Sequence, residues 1–314
     1  MLRGAIRQWM DQQGILEVLT PALSRAAATD PHVPSVKTSD GWYLQTSPEF
    51  PMKRLLAAHR EESENTGRSG QPDIYQIAAV FRAGESGRFH NTQFTLLEWY
   101  RVGFDHHALM QDVSSLLQFI WQSFSRDWPG IETRRYGVEV FNRLGQWPDE
   151  LSVSTIESYF KTHQRSFAAG IAGDVDAALD LFMDEFVLPD FNPQAFTLLI
   201  DYPSSQAALA RLGSDADGRV VAERFELYFG HVELANGFHE LSDATVQRER
   251  FESNLAQRKK SASELVPIDE HLLQALAAGF PDCAGVALGL ERLQMVLNRH
   301  THIREVLAFD DQRA

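Results

Sequence analysis

Residues 81–101 read FRAGESGRFHNTQFTLLEWYR, a run rich in side chains that bind phosphate and ammonium groups. The pattern predicts two strands, 73–81 and 94–102, joined by a glycine-containing loop. Residues 94, 96, 98 and 100 then share one face by the period-two rule, so Phe94, Glu98 and Tyr100 bring a ring, a carboxylate and a phenol to one surface. Arg82, at the end of the first strand, offers planar donors of fixed charge that suit a phosphate. The competing reading puts Arg82 in a surface ion pair and the aromatics in a core.

A second stretch, residues 224–243, reads RFELYFGHVELANGFHELSD and repeats a carboxylate every seven residues at Glu226, Glu233 and Glu240. A hairpin turning at Phe229-Gly230 would set Glu226 directly opposite Glu233, which is unfavourable unless a cation lies between them. Mg²⁺ held by one or two carboxylates together with substrate phosphates would supply it. A turn at Gly230-His231 breaks that pairing, and without a metal or cationic partner the two glutamates are solvated at an edge. The third stretch, GVALGLER at 285–292, is a strand of small residues ending in Gly289, where a ligand can approach the backbone, with Arg292 in the first turn of the next helix. An ordinary strand-to-helix junction with a surface arginine fits the same letters. No HxH or HExxH spacing points to a transition metal, Cys283 reads as a core residue, and His106-His107 as a solvated pair.

The elements that position these residues follow from apolar spacing. Residues 2–13 predict a helix ended by Gly14, 15–19 and 42–45 short strands, 48–58 a short helix, and 60–72 a surface loop with no apolar residue. A helix is expected over 104–124 and a mixed, mostly helical stretch over 128–192, which would be an insertion. Strands follow at 196–200 and on both sides of Gly230. Helices are expected at 243–260, with its charged 248–260 face in solvent, at 270–278 and at 290–298, the last preceded by the strand 285–288. Hairpins with helices outside them predict an α+β fold on an antiparallel sheet, in one domain spanning 1–314.

The 314 residues carry 29 Lys+Arg against 43 Asp+Glu, a net charge of −14, which argues against broad binding to a phosphate backbone. A single cysteine excludes an internal disulfide framework and any multi-cysteine metal site, and no apolar run approaches the roughly 18 residues of a membrane span. A cytoplasmic protein without membrane partners is expected.

Taken in order, the stretches resemble the three signature motifs of class II aminoacyl-tRNA synthetases in their lysyl branch: GILEVLTPAL at 14–23, residues 81–100, and 285–292, with TSPEFPMKR at 46–54 resembling a lysyl-type loop. The combination TSPEFPMKRLL, GRFHNTQFTLLEWYR, VELANGFHELSDA and PDCAGVALGLERL is similar to the elongation factor P–(R)-β-lysine ligase family, paralogues of lysyl-tRNA synthetase. In the synthetases an anticodon-binding barrel precedes the first motif. Here that motif begins at about residue 2, so tRNA is not the expected acceptor.

The resemblance implies ATP-dependent activation of (R)-β-lysine or lysine as an acyl-adenylate, then transfer to a lysine side chain of elongation factor P, by a Mg²⁺-dependent homodimer. It implies Arg82 on the ATP α-phosphate, Arg292 on the γ-phosphate, and Phe94 stacked on adenine. Asn91, Glu233, Leu234 and Gly289 match further ATP contacts, and Glu226 and Glu233 match the Mg²⁺ carboxylates. Ala83, Gly84 and Glu85 stand where Asn-Glu is more familiar, so an adenine contact there comes from backbone or from Glu85 displaced by one place. Glu240, Glu98 and Tyr100 would receive the side-chain ammonium, and Ser47, Pro48 and Glu49 the other amine. Ala287 replaces a synthetase glycine, and its methyl group is expected to narrow the amino-acid pocket in favour of β-lysine. Two other functions fit parts of the pattern: a truncated synthetase-like enzyme passing lysine to tRNA or another amine, and a non-catalytic regulatory subunit. The second predicts loss of phosphate-binding residues, yet Arg82, Glu233 and Arg292 are all present.

Overall fold

The computed structural model describes residues 1–66, 72–171, 173–311 and 313, and its contacts divide into two units, Met1–Trp128 with Leu234–Ala314, and Pro129–Glu233. The first unit opens with α1 (Leu2–Gln12), which buries Leu2, Ile6, Trp9 and Met10 on one face; Gly14, at φ 71°, turns the chain into β1 (Leu16–Glu17). Next come β2 (Leu23–Ser24), β3 (Tyr43–Leu44) and α2 (Glu49–Thr66). The helix expected at 48–58 thus runs on through 60–66, where a loop was expected. Arginine and glutamate sustain a helix without an apolar face, and Arg60 is tied down by donating to the carbonyl of Phe280 (3.0 Å). Residues 67–71 of that expected loop lie outside the described residues.

The strands β4 (Ile74–Phe81) and β5 (Gln93–Val102) form the expected hairpin, paired from Ile74↔Tyr100 to Phe81↔Gln93. Asp105 then caps α3 (His106–Ser123) by accepting from the Ala108 amide (2.8 Å). His106 is buried, not solvated as expected, and burial drives its imidazole down to about 4.

In the second unit β6 (Ile131–Arg135) leads into α4 (Tyr136–Leu144), α5 (Val153–Thr162) and α6 (Val175–Phe182), followed by β7 (Phe196–Pro203), β8 (Leu212–Ser214) and β9 (Val220–Phe229). β6 lies parallel to β7, and β9 pairs antiparallel with both β7 and β8.

The chain returns through β10 (Val232–His239), α7 (Ala244–Lys260), α8 (Glu270–Gly279), β11 (Cys283–Gly289) and α9 (Leu290–Leu297). The first unit's sheet therefore has the order β1-β4-β5-β11-β10, antiparallel except for β1 on β4. The α+β expectation holds: a mostly antiparallel sheet carries helices. Cys283 is buried, as expected. The charged face of α7 departs from expectation at Arg258, which is buried and donates to the carbonyls of Ala28, Thr29, Asp30 and Glu264. Among the described residues no helix is long and apolar enough to cross a membrane.

Candidate active site

The register of the first unit's sheet decides what its open face can hold. Tyr100 lies across from Gly285 and then Phe238, and Glu98 across from Ala287 and then Asn236, while Leu96 lies across from Gly289. Gly285, Ala287 and Gly289 thus form a low central strand flanked by taller side chains, which makes a groove. At Gly285 a Cβ would stand 2.3 Å from Tyr100 Cε1 and 2.6 Å from Glu240 Oε1, so the phenol ring and the carboxylate occupy that space. At Gly289 a Cβ would meet nothing nearer than 3.7 Å, and φ is −73°, so neither packing nor backbone strain demands a glycine there. A bare backbone at that point leaves room for a ligand. Ala287 packs with Phe94 against Ala78, Val80 and Leu96, on the floor between the two ends of the groove.

One end is built from carboxylates. Pro48 precedes the first residue of α2 and accepts from the Met52 amide (3.0 Å). The Ser47 hydroxyl accepts from the Glu49 amide (3.0 Å) and donates to Glu98 Oε2 (2.5 Å). Tyr100 donates to Glu98 Oε1 (2.8 Å), and Lys53, one turn into α2, reaches Glu49 Oε1 (2.7 Å) and Glu240 Oε2 (2.5 Å). Glu98, Tyr100, Lys53 and Glu240 are each at least 98% buried. Burial, reinforced by the charge of Glu49, pushes the Glu98 carboxyl up to about 8, against the opposing pull of the Ser47 and Tyr100 hydrogen bonds. The cluster is negatively charged, enclosed and lined by acceptors, a setting for ammonium groups.

The other end is cationic. The Arg82 guanidinium carbon lies 5.1 Å from the Phe94 ring centroid and Nη1 lies 3.7 Å from Glu85 Oε1, while its buried Nε has no hydrogen-bond partner. A buried donor left open beside a ring suits an anion carrying a flat base. Ala83 donates to the carbonyl of Pro34 (2.9 Å), and Gly84, at φ 76°, carries the chain round the turn to Glu85. Arg292 donates to the Phe89 carbonyl (3.1 Å) and pairs with His90 Nε2 (2.6 Å). Desolvation and the Arg292 charge hold the His90 imidazole below its usual range, so it accepts as the neutral ring. Asn91 donates to the Gln93 carbonyl (2.8 Å) and accepts from the Asp311 amide (3.1 Å), which leaves one N–H and one lone pair for a ligand.

The expected pairing of Glu226 against Glu233 is corrected. β9 ends at Phe229 and β10 starts at Val232, and Gly230, at φ 56°, occupies the first place of a two-residue loop. That loop sets Tyr228 opposite Glu233 and leaves Glu226 two places along on the same face. The reason is the loop itself: only glycine at its first position supplies the positive φ. Glu226 is also not a bare edge carboxylate, because Arg224 and Tyr228 each donate to one of its oxygens. Asp180, driven up to about 6 by burial, and Asp184, raised by burial and by the charges of Glu226 and Glu233, add to this acidic group. Four carboxylates against one arginine leave an excess of hard oxygen donors, and each Glu226 oxygen keeps a lone pair, so the set fits Mg²⁺.

Three features escaped the sequence reading: Lys53 between two carboxylates, the space above Gly285, and the Arg224–Glu226–Tyr228 set. The Glu49-to-Lys53 spacing of one helical turn was the available signal for the first.

The model of the family "tRNA synthetases class II (D, K and N)" matches residues 2–313. Proteins named elongation factor P–(R)-β-lysine ligase are similar along almost the whole chain. The one from Vibrio cholerae serotype O1 is 42% identical over 98% of this chain and 93% of its own. Those from Vibrio vulnificus (43%, over 97% and 91%) and Haemophilus ducreyi (41%, over 98% and 91%) agree. The chain belongs to the elongation factor P–(R)-β-lysine ligase family. Membership in this ligase family makes it an ATP-dependent amino-acid ligase on a class II synthetase domain, and rules out the reading as a regulatory subunit.

For a member of this family, the groove gives two expected results. Replacing Gly285 by alanine drives Tyr100 and Glu240 apart, an overpacking that costs about 1–3 kcal/mol in a buried site. The KM for the amino acid should rise at least roughly tenfold with the ATP KM little changed, as followed by ATP–pyrophosphate exchange; an unaltered amino-acid KM would refute the placement of those two groups. The second concerns pH. With Glu98 raised to about 8, the protonated form prevails below that pH, and an ammonium bound against Glu98 must displace the proton. Glu49 and Glu240 face Glu98 and favour its protonation, whereas Ser47 and Tyr100 donate to its charged form. Amino-acid KM is therefore expected to climb as pH falls from 8 towards 6, approaching about tenfold per unit, and to lose that slope in Glu98→Gln. A flat profile in the unmodified protein would contradict it.

Proposed function

We propose that this protein condenses (R)-β-lysine with ATP to an acyl-adenylate and transfers the acyl group to a lysine side chain of elongation factor P. The observation that carries the reading is the groove with two chemically opposite ends: a carboxylate pocket of buried Glu98 and Glu240 with the partly exposed Glu49, and a cationic end of Arg82 over Phe94 and Arg292 against His90. A diamino acid needs acceptors for two ammonium groups, and a nucleotide needs donors for phosphates and a ring for its base.

In this reading Ser47, Pro48 and Glu49 receive one amine, and Glu98, Tyr100 and Glu240 the other. The substrate carboxylate, already ionised at neutral pH, attacks the ATP α-phosphorus; the bond to the bridging oxygen breaks and pyrophosphate leaves. The acceptor amine then attacks the acyl carbon and AMP departs. Negative charge gathers on phosphate oxygens in the first step, and fixed cations placed beforehand lower its barrier. Arg82 holds the α-phosphate and Arg292 the γ-phosphate. Ala83, Gly84, Glu85, Asn91, Leu234 and Gly289 contact the nucleotide, on which Phe94 stacks. Glu226 and Glu233 would hold Mg²⁺, with Arg224 and Tyr228 fixing the Glu226 carboxylate, and the ion would supply charge neutralisation for phosphate oxygens. Incubation with ATP, (R)-β-lysine and elongation factor P should add the mass of one β-lysyl group to the acceptor in the mass spectrum. Modification of tRNA instead would favour the truncated synthetase reading.

A two-fold dimer is part of the proposal. Among the described residues β1 has only β4 beside it in the sheet order, and Leu16, Leu19 and Leu23 around it are 50%, 90% and 46% exposed. An open edge with apolar side chains is a pairing surface for a second copy. Sedimentation should give a dimer that Leu19→Asp weakens; a monomer at micromolar concentration would refute it.

A further inference from the structure

Lys53 is among the largest side chains with essentially no exposure, and it sits on the same face of α2 as Glu49. Taking an ammonium out of water is unfavourable by several kcal/mol, and a well-packed apolar side chain in such a place is often neutral or stabilising. What keeps Lys53 charged is its pair of partners: the charges of Glu49 and Glu240 together outweigh burial and hold the ammonium above its usual range. Its Nζ lies 2.7 Å from Glu49 Oε1 and 2.5 Å from Glu240 Oε2, so one buried cation joins a carboxylate of α2 to one that follows β10. These are two of the three carboxylates in the pocket, and they belong to the two groups of residues assigned above to different amines. The third, Glu98, is held by Ser47 and Tyr100.

Glu49, Glu98 and Glu240 carry three negative charges when ionised, and Lys53 cancels one. The remainder of two equals the charge of the two ammonium groups of a diamino acid. Without Lys53 the pocket would hold three unbalanced carboxylates, two of them buried, where like charges favour protonation of one or more of them.

We infer that Lys53 is a positioning residue for the amino-acid pocket: its ammonium locks Glu49 and Glu240 into one arrangement and sets the pocket's charge to match a substrate with two ammonium groups. This rests on the diamino-acid reading of the groove. Lys53 is bonded to the two glutamates and acts through them. In Lys53→Met, close to lysine in length and without charge, the glutamates repel each other and one takes up a proton.

The test is ATP–pyrophosphate exchange with (R)-β-lysine for the unmodified protein and Lys53→Met, each at several pH values, with thermal melting as a check on folding. The expected result is a rise of at least roughly thirtyfold in the β-lysine KM, an ATP KM within threefold of the unmodified value, and a KM whose dependence on pH steepens or extends to higher pH because a second carboxylate now titrates with Glu98. A folded Lys53→Met with unchanged KM and pH profile overturns the inference while leaving the ligase reading intact. A lower melting temperature with unchanged KM and profile assigns Lys53 to stability alone and also overturns it. If Lys53→Met does not fold, Lys53→Ala is assayed with added ethylammonium, a small cation able to enter the vacated space. Recovery of melting temperature and β-lysine exchange supports the inference, and absence of recovery overturns it. An unmodified protein that exchanges with no diamino acid removes the ligase reading, and this inference with it.

Discussion

Arg82→Ala is expected to reduce ATP–pyrophosphate exchange by about 10²–10³-fold, the range found when one preplaced donor to a developing anion is removed. The first strand of the β4–β5 hairpin ends at Phe81 and the second returns at Gln93, so that Arg82 emerges at the rim with its amide bonded to the Thr92 carbonyl (2.9 Å). The backbone is fixed, and the side chain lies over Phe94 with a buried Nε that has no partner. Its ion pair with Glu85, at 3.7 Å and partly exposed, is too weak to be the reason for the arginine, since such pairs contribute about 0–1 kcal/mol. Arg82→Ala should therefore leave melting almost unchanged while exchange falls. The loss should appear in kcat with a smaller change in the amino-acid KM, because Glu49, Glu98 and Glu240 are untouched. Lysine at this position restores only part of the activity, since it offers a point charge where a planar fork is required. Full activity in Arg82→Ala would remove the arginine from the phosphate site.

Glu240→Gln is expected to act on the other substrate. The change keeps the shape of the side chain and removes its charge from a site where the carboxylate is 99% buried and bonded to Lys53. Two effects add. The substrate ammonium loses a charge-assisted hydrogen bond, worth about 1.5–3 kcal/mol, which predicts an amino-acid KM roughly 10- to 150-fold higher. Lys53 also loses one of its two carboxylates, and breaking a buried pair from one side costs about 3–5 kcal/mol of stability, moderated here because Glu49 remains. Titration calorimetry or exchange kinetics should show weakened β-lysine binding, and thermal melting a lower midpoint. An unchanged β-lysine affinity would take Glu240 out of the pocket.

Much of this site was legible because its chemistry is concentrated in strands. The alternation along 94–100 places Phe94, Glu98 and Tyr100 on one face whatever lies beyond the sheet, and that placement is as expected. The small residues of 285–289 likewise announced a close approach, though only the register with β5 revealed that Tyr100 and Glu240 fill the space above Gly285. What stayed hidden depended on tertiary partners. Lys53 lies beside Met52 in α2, and a lysine in a helix reads as solvated until Glu240 arrives from nearly 190 residues away. Arg258 escaped for the same reason, since its acceptors are backbone carbonyls of residues 28–30 and 264. The turn at Gly230 was ambiguous because both candidate loops contain that glycine, and one residue of slip exchanges every cross-strand partner. The length of α2 was missed because its last two turns are helical by propensity and not by apolar period.

The central claim is that one groove activates a diamino acid on ATP, and the most direct measurement is ATP–pyrophosphate exchange across a matched set: (R)-β-lysine, α-lysine, and norleucine, which lacks the side-chain ammonium. The account predicts exchange with (R)-β-lysine above that with α-lysine, none above background with norleucine, and a smaller preference for β-lysine in Ala287→Gly. Exchange with norleucine as fast as with the diamino acids, or none with either lysine, would contradict it.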